Sequence, residues 1–81
     1  MTVLVLGADE DVVARALAAL GSEDGLIVLD PSAGALEALE RAVPDARIWY
    51  QIGDGDVVPL PDRSVDDVVG ERGPDVTRVL R

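Results

Sequence analysis

The feature that most constrains this chain is a set of short apolar runs that stop at glycine or aspartate, each followed by a change of period. "TVLVLG" (2–7) and "GLIVLD" (25–30) have the length of strands, and their apolar residues are consecutive, as in strands buried on both faces. After the first run, "DEDVVARALAALG" shifts to helical spacing. Val13, Ala16, Leu17 and Leu20 fall on one face, and Gly21 supplies a stop. After the second, "PSAGALEALERAV" puts Leu36, Leu39 and Val43 on one face, opens at Pro31 or Ser32 and ends at Pro44. "ARIWYQIG" (46–53) reads as a third strand, "PLPDRS" as a loop, "VDDVVG" (65–70) as a short fourth strand and "PDVTRVLR" as a closing helix.

Strands alternating with helices imply βαβ units and a parallel sheet. The expectation is a single three-layer α/β domain over residues 1–81, with helices on both faces of the sheet. Its strands are predicted near 2–6, 26–30, 47–52 and 66–69. Leu4, Leu6, Val13, Leu17, Leu20, Ile27, Leu29, Leu36, Leu39, Ile48 and Val68 are the predicted core. One local signal dissents. "GDGD" between "WYQI" and "VV" has the look of a hairpin turn, which would pair residues 49–52 antiparallel with residues near 57–58. Pro59 and Pro61 restrict such a second strand to a couple of residues.

Composition removes several kinds of function. The chain has no cysteine and no histidine, so it has no disulfide, no thiol nucleophile and neither of the commonest metal-binding and general-base groups. Sixteen acids face seven arginines, and the net charge of −9 opposes binding to nucleic acid or to an anionic membrane surface. No apolar run approaches the roughly 20 residues of a membrane span, and a cytoplasmic location is expected. Apolar residues make up 48% of the chain, but they are mostly Ala, Val and Leu, so the core must be built from small aliphatic side chains. Trp49 and Tyr50, the two aromatics, alternate across the third strand; one faces the core, and the other is a candidate contact residue.

"VLVLGADED", "IVLDPSAGALEALERA", "IGDGDVVPLPDRSVDDVVG" and "RVLR" follow one another in an order and spacing that resemble the class I S-adenosylmethionine-dependent methyltransferases. The resemblance covers nearly the whole chain and is most specific from Gly53 to Val69. It implies a Rossmann-like half-sheet with strand order 3-2-1-4. It also implies a truncated domain, because the family's last three strands have no counterpart and the segment after the fourth strand shrinks to "GERGP". The site residues that carry over are Gly7 in the first loop, Asp30 at the ribose-binding position and Asp54 at the adenine-binding position. The family's acidic position in the first strand is Val5 here, and its next two loop glycines are Asp9 and Asp11.

Glycines in such a loop allow positive φ and let a ligand approach the main chain. Aspartates add side chains and negative charge there, but at a helix N-terminus they stabilise the helix dipole and cap free N–H groups. "ADED" therefore reads first as a helix start, and second as a ligand loop or as a divalent-cation site on Asp9 and Asp11. Asp30 and Asp54 likewise carry two readings: strand-end and turn residues, or nucleoside ligands. Asp66 and Asp67 read as structural.

Two functions follow from the sequence. The first is a non-catalytic, methyltransferase-like small domain with no resident cofactor, acting as a homodimer or through a protein partner. Its expected contact is the fourth strand with the apolar stripe Val76, Val79 and Leu80. The alternative is a module that binds S-adenosylmethionine or a related nucleoside through Asp30 and Asp54 and is completed by another chain.

Overall fold

The computed structural model describes residues 1–70 and 73–81. Seven elements occur in the order β1 (Thr2–Leu6), α1 (Glu10–Ala18), β2 (Gly25–Asp30), α2 (Ala33–Ala42), β3 (Ile48–Ile52), β4 (Asp67–Val69) and α3 (Val76–Val79). The strands form one sheet in the order β3-β2-β1-β4, and all three neighbouring pairs are parallel. This is the expected α/β topology. The hairpin reading is not realised: among the described residues β3 pairs with β2 alone, and residues 53–66 cross to the far edge of the sheet without forming a helix.

The two long helices lie on the same face of the sheet. Val13 and Leu17 of α1 and Leu36 and Leu39 of α2 pack with Val3, Val5, Leu26, Val28 and Ile48. The crossover and α3 cover the opposite face, where Leu4, Leu29 and Val68 meet Val58, Val65, Val76 and Val79. Period two along the strands sends neighbouring side chains to these two cores, so β1 and β2 need the continuous apolar sequences they have. Leu6, Leu20 and Ile27 are only half-buried, against expectation. Leu6 and Ile27 lie on the face covered by an irregular crossover and a single helical turn, which shield less area than two full helices.

The closing helix is shorter than its sequence suggests. It ends at Val79, and Leu80 turns extended to pair in parallel with Val65. The Val65 N–H donates to the Val79 carbonyl at 2.9 Å, and the Arg81 N–H donates to the Val65 carbonyl at 2.9 Å. Val76 and Val79 are buried within the chain, so the stripe expected to meet a second copy covers the chain's own sheet instead.

Two arginines fasten loops to elements. Arg47 forms a forked ion pair with Asp45 and donates to the Leu17, Leu20 and Gly21 carbonyls at 3.1–3.3 Å. It thereby satisfies the Leu20 carbonyl and adds a second bond to the Leu17 and Gly21 carbonyls, which already accept from the Leu20 and Asp24 N–H groups. The guanidinium and the Arg47 N–H hold the Asp45 carboxyl down at about 2. Arg78 does the equivalent for the crossover, binding Asp75, Asp62 and the Val58 and Leu60 carbonyls.

Candidate functional site

The carboxyl ends of β1, β2 and β3 lie side by side; Asp30 is the last residue of β2, and Gly7 and Asp54 stand on the loops that leave β1 and β3. In an open parallel α/β sheet this is where ligands bind. The sheet thus brings the three sequence-predicted residues to one rim, and local hydrogen bonds decide what each can do.

Gly7 has φ +102°, a conformation that side chains rarely tolerate, and its N–H donates to the Leu29 carbonyl at 2.7 Å. Among the described residues, its chain neighbours aside, no atom lies within 4 Å of where a Cβ would stand, so the glycine serves the turn. The Asp30 carboxylate ties two loops together. One oxygen accepts from the Ala8 N–H at 2.9 Å and the other from the Ser32 N–H at 2.8 Å. The Ser32 hydroxyl then caps α2 by accepting from the Ala35 N–H at 3.2 Å. In Asp54, Oδ1 accepts from the Asp56 and Val57 N–H groups at 2.9 and 3.1 Å, forming an Asx turn.

The acidic loop is a helix start. Asp9 is the N-cap of α1, and its Oδ1 accepts from the Asp11 and Val12 N–H groups at 3.0 and 3.1 Å. Glu10 and Asp11 occupy the exposed first turn, where negative charge favours the helix dipole. Two of the N–H groups that would meet an anionic ligand at this terminus, those of Asp11 and Val12, are therefore engaged by the chain's own carboxylate. Among the described residues, no group of three or more His, Cys, Asp or Glu side chains converges to hold a metal ion.

The loops after β3 and β4 meet above the end of β1. The Asp75 N–H donates to the Gly55 carbonyl at 3.3 Å, and a Cβ built on Gly73 would run into that carbonyl. A Cβ at Gly55 would lie 3.7 Å from the Leu6 side chain, so two glycine backbones meet beside it. Part of the "GERGP" segment, residues 71–72, lies outside the described residues.

Sequence reasoning did not assign the two arginine clamps. Their signals were present: Asp45 and Arg47 flank one residue before a strand, and Asp75 and Arg78 stand at i,i+3 on a helix. Asp75 does more than pair with Arg78. Its Oδ2 also accepts from the Val58 N–H at 2.8 Å, and these bonds hold its carboxyl at about 2.

Comparison with protein-family models gives no match, and comparison with curated proteins gives none either. Among solved structures, the chain is similar to one in a "complex between the Haloferax volcanii Trm112 methyltransferase activator and the putative methyltransferase". The TM-score is 0.69 at 28% identity over 83% of this chain. The match spans 29% of the other chain's length. The α/β architecture with strand order 3-2-1-4 is thus shared with a methyltransferase-related structure.

Proposed function

We propose that this chain is a non-catalytic, methyltransferase-like domain that works by binding another protein. The observation that carries this reading is the Asp9 cap, which places a carboxylate on the N–H groups at the start of α1. A cofactor carboxylate brought to that terminus would meet Asp9, Glu10 and Asp11. The similar solved structure is a two-protein complex, which supports a partner. A homodimer through the Val76 and Val79 stripe loses its basis, because both residues lie inside the chain's own core.

The second reading, a module binding S-adenosylmethionine or a related nucleoside, has one observation in its favour. Asp30 ends β2 and Asp54 follows its neighbour β3, so the two acids stand at the carboxyl edge of adjacent strands. A thermal melt separates the two. At about 1 mM S-adenosylhomocysteine, a site with a dissociation constant near 10 μM would add about 2.7 kcal/mol of stability. In a domain this small that raises the melting temperature by roughly 10 °C or more. The expected result is an unchanged midpoint, and a rise of that size would overturn the proposal. Asp9→Ala should cost about 1 kcal/mol, the usual worth of an N-cap.

A further inference from the structure

β3 closes one side of the sheet, and its outer edge is unlike its counterpart at β4. Just before β4 the Leu80–Arg81 segment pairs with Val65, and β4 itself is only three residues long and carries the charge of Asp67. β3 reads "IWYQI": five residues without a charge, a proline or a bulge, in unbroken register with β2. Proteins ordinarily blunt exposed edges with one of these devices.

The edge offers backbone groups as well as side chains. The Arg47 carbonyl accepts from the Leu26 N–H at 2.9 Å, and the Gly53 N–H donates to the Asp30 carbonyl at 3.1 Å. Period two then turns residues 49 and 51 toward β2 as well. The N–H and C=O groups of Tyr50 and Ile52 face outward, and the Ile52 carbonyl accepts a long hydrogen bond from the Gln51 side-chain amide at 3.4 Å. Trp49 is 70% exposed and Ile52 56%.

The two sides of this edge differ in charge. On the α2 side a groove of about 240 Å³ is lined by Leu36, Glu37, Glu40, Tyr50 and Ile52, and its charged groups are acidic. The Tyr50 hydroxyl is buried there and makes no hydrogen bond among the described residues. Burial, Glu40 and Asp45 raise its pKa, in keeping with a negative potential at the groove. On the other side a groove of about 530 Å³ is lined by Trp49, Ile27 and Thr2, with Arg47 beside Glu23 and Asp24.

We propose that the outer edge of β3 docks an extended segment of a partner protein as an added strand, with basic side chains facing α2 and apolar side chains covering Trp49. This rests on the partner-binding reading and names its surface and chemistry. Strand addition draws affinity from main-chain bonds and specificity from alternate side chains, and this edge provides for both. A second copy fits less well. Two-fold pairing of β3 with itself would set the Glu37 and Glu40 side of each copy against the same acids, between chains that each carry −9.

Trp49 is the only tryptophan, so its emission reports on this edge. The probe is an acetylated, amidated heptapeptide alternating valine and lysine, titrated into the full chain. Two controls accompany it: the same peptide with glutamate for lysine, and the lysine peptide N-methylated at the amides that would face the edge. The lysine peptide should give a saturable blue shift, the glutamate peptide should bind about tenfold more weakly, and N-methylation should abolish binding. In Glu37→Gln/Glu40→Gln, two exposed positions, the preference for lysine should fall to about twofold. No saturable shift with the lysine peptide, equal binding of the glutamate peptide, or undiminished binding after N-methylation would overturn the inference. A dimer mass by sedimentation without peptide would also overturn it, by giving the edge to a second copy. Stabilisation by S-adenosylhomocysteine would contradict the partner reading without altering the peptide results, so the two failures are distinguishable.

Discussion

Leu4→Ala should lower the melting temperature by at least about 10 °C and leave a substantial unfolded fraction at physiological temperature. Leu4 is fully buried at the centre of the core that joins the sheet to the crossover and α3. Removing a buried leucine side chain costs about 2–5 kcal/mol, because the lost transfer energy is joined by a cavity that the surroundings fill only in part. A chain of 81 residues has roughly 4–12 kcal/mol of stability in all. Val57→Ala is the matched control: Val57 is 74% exposed, and its loss should change stability by no more than about 0.5 kcal/mol. Chemical denaturation of the two variants checks both expectations. A Leu4→Ala midpoint equal to that of Val57→Ala would mean that this core is not packed as described.

The second large effect belongs to Arg78. Its guanidinium spans Asp75 at 2.8 Å, Asp62 at 2.7 Å, the Val58 carbonyl at 2.7 Å and the Leu60 carbonyl at 2.8 Å. Arg78→Ala removes the clamp that seats the crossover on α3, and with it the support for Val58, Val76 and Val79. The melting temperature should fall by several degrees, and amide exchange at Val58 and Val65 should accelerate. Arg78→Lys should rescue little, because a point charge cannot reproduce the planar fork. Acid titration gives a separate readout. Asp75 is lowered from 3.8 to about 2 by Arg78 first and the Val58 N–H second. A carboxyl depressed in the folded state contributes stability above its unfolded pKa and loses it as pH falls through the folded value. The wild-type chain should therefore lose stability between about pH 4 and 2, through Asp75 and through Asp45, which is held down by Arg47 in the same way. Arg78→Ala should flatten part of that dependence.

Much of the fold was legible because its signals are local and periodic. The apolar runs at 2–6 and 25–30, the change to helical spacing after each, and the stops at Gly21 and Pro44 each specify their element without reference to the rest of the chain. The second face was harder to read. Val58 and Val65 lie in a segment without helical or strand period, and only the tertiary fold brings them against Leu4 and α3. The last helix was read too long because Val76, Val79 and Leu80 fit helical spacing, whereas the pairing of Leu80 with Val65 is non-local. At the rim of the sheet, the sequence marked "ADED" as a helix start, and the structure assigns the cap to Asp9. It placed Asp30 at a strand end but did not show that its carboxylate would bridge the β1 and β2 loops.

The rim carrying Gly7, Asp30 and Asp54 is held by the chain's own hydrogen bonds, which is the basis for proposing that the domain acts through another protein. Amide NMR spectra of the isotopically labelled chain, titrated with S-adenosylmethionine, test it residue by residue. The Gly7, Ala8, Asp11, Val12, Ser32 and Asp56 amides, which form or border those bonds, should stay in place throughout the titration. Saturable shifts at these amides, with a dissociation constant tighter than about 100 μM and lost in Asp30→Ala, would contradict the account and make the chain a cofactor-binding module.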